Sequence, residues 1–165
     1  MEKPTVTIDL EKHLHDFLLH EFKTDDTGSI ILTKRSDIGM YIDSMWTIAK
    51  QPTEVRPMSH PVKLLLPVSE HNHYIFKNHF IHVPAWKETM INQYLESEFR
   101  RRLRDYFSIG YEKGFCQKDI IESFLVQYGM KNNAINFDQI KKYDYRSRKS
   151  LKKSIAKDIQ DALVQ

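Results

Sequence analysis

Residues 85–108 contain neither glycine nor proline, and large apolar side chains recur through them at helical spacing: Trp86, Met90, Tyr94 or Leu95, Phe99, Leu103 and Tyr106. A stretch of this kind predicts one long α-helix. Pro84 stands where such a helix can begin, because the N–H it lacks is one that a first turn leaves unpaired anyway. Upstream of Pro84 the pattern is different. Val6, Ile8 and Leu10 alternate with polar residues, and residues 62–67 and 73–83 read as β-structure, the latter turned around Lys77–Asn78. This change of period predicts an α+β fold, in which a small antiparallel sheet with N-terminal helices precedes a mostly helical C-terminal half. The division falls at 1–83 and 84–165, as two portions or one continuous domain.

The N-terminal helices have their own signals. Leu14, Phe17, Leu18 and Phe22 give a helical face from about Glu11. Asp25–Asp26–Thr27–Gly28 is a turn, followed by a short strand at 29–33. Ser36 is placed to cap a second helix with an inner face of Ile38, Tyr41, Ile42, Met45 and Ala49. Prolines 52, 57 and 61 then mark a loop.

After the long helix, Ile120, Ile121, Phe124, Leu125 and Tyr128 predict a second amphipathic helix, with Gly129 at its C′ position. A third is expected to start at Asn136. Gln139 completes a capping box there, and Ile135 and Ile140 occupy the staple positions. This helix is read as continuing through Leu151 and Ile155 towards Leu163, with a bend near 144–147.

Composition narrows the class. With 41% hydrophobic and 28% charged residues the chain is globular rather than disordered. Cys116 is its one cysteine, so no internal disulfide can form and a reducing compartment suits it. Residues 1–10 lack the apolar run of a secretory signal, and the apolar stretch at Leu64, Leu65 and Leu66 is far too short to cross a bilayer. A cytoplasmic protein without a membrane partner is the expectation.

Charge distribution carries the functional argument. The net charge is +3, but residues 131–157 hold nine Lys/Arg and two acids, a local charge of 9 − 2 = +7 that leaves 3 − 7 = −4 for the remainder. On a helical projection Lys142, Arg146, Lys149, Lys153 and Lys157 gather opposite Phe137, Ile140, Leu151 and Ile155, with Lys141, Arg148 and Lys152 along one border. Solvated helix faces usually mix signs, because Glu–Lys pairs at i,i+4 stabilise them and like charges at that spacing cost a few tenths of a kcal/mol each. A polyanion would remove the repulsion and release counterions. Tyr143 and Tyr145 flank the row and could bond phosphate or stack on bases.

These residues predict a non-catalytic nucleic-acid-binding protein, with DNA ahead of RNA. The helix pair around residues 118–128 and 137–150 is helix-turn-helix-like. In that geometry Gln139, Lys142 and Arg146 face bases, while Lys131, Asn132 and Asn133 face the backbone. The connection between them, 129–136, is longer than the three or four residues of the standard motif. The competing reading is a protein-interaction or homo-oligomeric assembly module, for which Trp46, Trp86 and eight tyrosines supply interface material.

Other chemistry is weakly signalled. Arg100, Arg101, Arg102 and Arg104 project around the long helix, and ion pairs with Glu96, Glu98 and Asp105 are favoured over phosphate contact. All eight histidines lie in the first half of the chain. His13, Asp16 and His20 could share a helix face and His71 and His73 a strand face, with His79 and His82 nearby, yet the spacings match no metal motif. No metal or cofactor is assigned. Neither a nucleophile signature at Cys116 nor a Gly-rich phosphate loop is present.

Overall fold

The computed structural model describes residues 3–131 and 134–164, with the backbone alone at Ala134 and Ile135. It is an α+β fold whose C-terminal half is helical, and the chain forms two compact units, Met1–Ser97 and Glu98–Gln165.

In the first unit, β1 (Thr5–Asp9) lies antiparallel to β4 (Pro61–Leu65), placing Val6 opposite Leu64 and Ile8 opposite Val62. All four side chains are buried. The short β2 (Ile30–Ile31) joins the other edge of β4 in parallel, so the three-stranded sheet, order β1-β4-β2, is mixed. The Asp25 turn delivers the chain to β2. The Asp25 carboxylate accepts the Thr27 hydroxyl at 2.7 Å and the Thr27 and Ser29 amides at 2.9 Å, which allows Gly28 its φ of 78°. The Thr27 hydroxyl, with these amides, holds the Asp25 carboxyl below the usual carboxylate range. In the same unit α1 (Lys12–Glu21) buries Leu14, Phe17 and Leu18.

Ser36 caps α2 (Asp37–Asp43) as expected, its Oγ accepting the Gly39 amide at 3.2 Å. The helix stops sooner than its apolar spacing suggests. The Ser44 hydroxyl donates to the Tyr41 carbonyl, and Ala49 belongs not to the helix face but to β3 (Thr47–Ala49). Pro61 likewise opens β4 instead of lying in the loop, at a strand's first position, where proline is tolerated.

The segment 73–83 is not one β-stretch. Residues His73–Asn78 form α3, and only Phe80–His82 form a strand, β5, paired antiparallel with β3. The helix starts because Asn72 organises the turn before it. Its Oδ1 accepts the Ser69 amide at 2.7 Å, its amide donates to the Pro67 carbonyl at 3.0 Å, and the His73 amide then bonds the Ser69 carbonyl at 3.0 Å. Phe76 packs on Trp46, 5.1 Å between ring centroids.

The long helix α4 (Ala85–Glu112) contributes to both units and runs beyond Ser108. Its packed face is Ile91, Leu95, Phe99, Leu103 and Phe107; Trp86 and Met90, expected inside, are exposed. Polar residues explain the rotation. Glu88, 7% exposed, accepts the Asp9 amide at 2.9 Å and pairs with Arg56. One and two turns on, Asn92 donates to the Asp9 carbonyl and accepts the Glu11 amide, and Glu96 meets His13 at 2.6 Å. These three side chains, four residues apart, stitch the first half of α4 to the end of β1 and the start of α1.

In the second unit, residues 98–112 of α4 pack with α5 (Gln117–Gln127) and α6 (Ala134–Leu163). Phe124, fully buried, gathers an aromatic cluster. It meets Phe99 and Tyr106 edge-on at 5.7 and 5.1 Å and stacks on Tyr128 at 4.4 Å. Gly114 and Gly129, with φ of 82° and 62°, end α4 and α5 in the same way. In each case the glycine N–H bonds three residues back and the next N–H five residues back, satisfying carbonyls that a helix end leaves open.

The third helix begins at Ala134, upstream of the expected start. Asn136 is therefore inside the helix, where its amide donates to the Lys131 carbonyl at 2.7 Å. Asn132, Asn133 and the Ile135 half of the staple lie outside the described residues. From Ala134 the helix is unbroken through 144–147.

Candidate nucleic-acid interface

One buried carboxylate sets the orientation of α6. Asp144 is 4% exposed and accepts three charge-assisted hydrogen bonds: Tyr111 Oη at 2.7 Å, Gln117 Nε2 at 2.6 Å and Arg148 Nη2 at 2.8 Å. The donors come from α4, α5 and α6 itself, so the three helices meet on one side chain. The Arg148 guanidinium also lies over the Tyr111 ring, 5.0 Å from its centroid. Burial, reinforced by the hydrogen bond to Asp144 and its charge, pushes the Tyr111 phenol up to about 12. With Ile140 also buried and Phe137 half-buried, the face of α6 that packs is settled.

The opposite face is the basic row. Lys142, Arg146, Lys149, Lys153 and Lys157 are all exposed, and among the described residues none of them is engaged in an ion pair. At 1.5 Å per residue the row is about 22 Å long. Gln139, Lys141, Lys152 and Lys131 are exposed beside it, as is Tyr145 at 61%.

Two residues expected in the row have other partners. Arg148 is tied to Asp144 and Tyr111. Tyr143 is half-buried beneath Arg100, whose guanidinium lies 4.9 Å from the ring centroid. That contact brings a cation from α4 to the border of α6, and sequence spacing could not reveal it across 43 positions. Of its neighbours, Arg101 pairs with Glu98. Tyr111 and Gln117 were equally hidden, since nothing local marks a residue that serves a carboxylate two helices away.

The apolar pattern of α6 has two fates. Ile140 is buried, but every described residue from Arg148 onward is exposed, including Leu151 (60%), Ile155 (47%), Ile159 (55%) and Leu163 (80%).

The histidines disperse. Asp16 pairs with Lys12 and His15, and His20 lies 3.7 Å from Glu21. Among the described residues Glu11, His13 and Glu96 bring three ligand-type atoms within 4.8 Å of one another. The two carboxylates, however, address different nitrogens of one ring, Glu96 at Nε2 (2.6 Å) and Glu11 at Nδ1 (3.8 Å). An ion takes one nitrogen per imidazole, so this arrangement orients the ring rather than converging on a metal. Among the described residues no helix is long and apolar enough to cross a membrane.

Fold and site together define an α+β chain that presents a basic row on one face of α6. Comparison with known protein families, with characterised proteins and with solved structures finds no match.

Proposed function

We propose that this protein binds nucleic acid, duplex DNA ahead of RNA, through the exposed basic face of α6, without catalysis. The observation that carries this reading is the row from Lys142 to Lys157. It consists of five cations at i,i+3 and i,i+4 spacing, opposite the packed face and unpaired among the described residues. Their mutual repulsion costs a few tenths of a kcal/mol per neighbouring pair in the free protein. A phosphate backbone, with one charge per ~1.7 Å of duplex axis, relieves that repulsion and gives up its counterions. Lys141, Lys152 and Lys131 widen the positive surface, Gln139 and Tyr145 supply neutral hydrogen-bonding groups, and Arg100 with Tyr143 adds a border contact. The helix-turn-helix-like role of α5 and α6 belongs to the same proposal.

The test is fluorescence anisotropy with random duplex DNA, single-stranded DNA and duplex RNA across a salt series. Replacing Lys142, Arg146, Lys149 and Lys153 with Gln should reduce the magnitude of the log–log salt slope on duplex DNA by about 3–4 and leave the fold intact. Lys63→Gln with Lys87→Gln, as a control in the first unit, should change it little. Equal binding by the quadruple variant would reduce the row to a solvated face. A homo-oligomeric assembly role is the second reading, favoured by the exposed apolar row on the distal half of α6.

A further inference from the structure

The second unit exposes two apolar features. The first is the row Leu151, Ile155, Ile159 and Leu163, on a part of α6 where every described residue is exposed. The second is an open groove between the end of α4 and the start of α5, about 320 Å³, lined by Tyr106, Ile109, Gly110, Phe115, Ile120 and, at its edge, Asp119. Ile109 and Phe115 are each 58% exposed on its walls. Gly110 lets Ile120 of α5 lie close against α4 at the groove. A Cβ there would come within 2.6 Å of the Ile120 side chain.

We propose that the distal half of α6 docks in the α4–α5 groove of a second copy of this chain, reciprocally, to form a closed pair. Charge complementarity chooses this occupant. At 100° per residue Lys152 and Asp158 stand on opposite sides of Ile155, so the row has one basic and one acidic border. The groove is built the same way. Asp119 belongs to its lining on α5, and exposed Lys113 stands in the turn that follows α4, between the lining residues Gly110 and Phe115 in the chain. With Lys152 towards Asp119 and Asp158 towards Lys113, both borders meet opposite charge while the aliphatic row fills the apolar lining. An anionic membrane would leave Asp158 and Asp161 against like charge, and a self-paired α6 row would leave the groove empty. A reciprocal pair uses the two patches twice, as closed two-fold assemblies do. The row Lys142 to Lys157 stays on the other side of α6, so this inference stands apart from the nucleic-acid reading.

Sedimentation velocity of the full chain should show a dimer. Ile155→Asp with Ile159→Asp alters the row, and Ile109→Asp with Phe115→Ser alters the groove, all at exposed positions. Each double variant should raise the dimer Kd at least about thirtyfold, as loss of a central apolar anchor does. Circular dichroism should report an unchanged fold for both. Mixed in equal amounts, the two variants should recover a heterodimer, because one of the two contacts is intact. Lys152→Glu should weaken the pair and Asp119→Lys should restore it. A monomeric wild type would overturn the proposal. So would a groove variant that still dimerises, since the row would then pair with itself, or a monomeric protein whose row variant loses only binding to phosphatidylserine vesicles.

Discussion

Replacing Asp144 tests whether one carboxylate holds the second unit together. Its side chain is 2% exposed and takes hydrogen bonds from Tyr111, Gln117 and Arg148 at 2.6–2.8 Å. Asp144→Ala leaves the Tyr111 hydroxyl and the Gln117 amide without their acceptor at a covered position. Arg148, 49% exposed, can turn to solvent. Unsatisfied buried groups cost about 1–3 kcal/mol each, so with two of them a loss of about 2–5 kcal/mol is expected. Asp144→Asn keeps one oxygen for Tyr111 and should cost less, about 1–3 kcal/mol. Arg148→Ala leaves the buried carboxylate without its cation, though still bonded by Tyr111 and Gln117, and should cost about 3 kcal/mol. Urea unfolding followed by far-ultraviolet circular dichroism gives these differences. Tryptophan emission, which arises from Trp46 and Trp86 in the first unit, serves as an internal comparison. An Asp144→Ala protein within about 1 kcal/mol of wild type would refute the anchor. An Asn variant as costly as Ala would refute the argument that an oxygen at that place suffices for Tyr111.

Further outcomes follow from other residues. The Tyr111 phenol is raised to about 12 from an ordinary value near 10. The stability it contributes is complete below pH 10 and lost between pH 10 and 12, and Tyr111→Phe should flatten that part of an alkaline unfolding profile. Gly39→Ala should lower the thermal midpoint more than Gly110→Ala. The new Cβ at 39 would fall 1.8 Å from the Thr33 carbonyl oxygen, which is backbone, whereas at 110 it meets the Ile120 side chain, which can adjust at a cost of about 1–3 kcal/mol. Asn136→Ala should cost about 1 kcal/mol in a denaturant melt, because the bond to the Lys131 carbonyl is lost.

Much of the architecture was legible where local chemistry decides it. The glycine- and proline-free stretch after Pro84, the Ser36 cap, the Asp25 turn and Gly129 all formed as their residue types require. The signals misread were those overridden from a distance. Glu88 and Asn92 face inward because Asp9 and Glu11 offer backbone groups to them, and this turns Trp86 and Met90 outward against their hydropathy. Residues 73–78 read as β-like, with Tyr74, Ile75 and Phe76 in a row, yet Asn72 starts a helix by bonding Ser69 and Pro67. In the candidate site the exposure of the basic row was readable from its spacing. The diversion of Arg148 and Tyr143 was not, because their partners Tyr111 and Arg100 sit on another helix.

The anchoring of α6 at one end only also makes the helix its own reporter. Up to Arg148 its amides are backed by the Asp144 cluster and Ile140; beyond that, residues 149–163 have no buried side chain to slow their opening. A helix of that length standing alone is marginal in water. Amide hydrogen exchange should therefore drop in protection sharply after Arg148, with the distal turns exchanging through local fraying rather than global unfolding. Anything that settles on either face of those turns must slow that exchange. Protection gained by the amides of 149–163 thus measures occupancy of α6 directly, before the nature of the occupant is known.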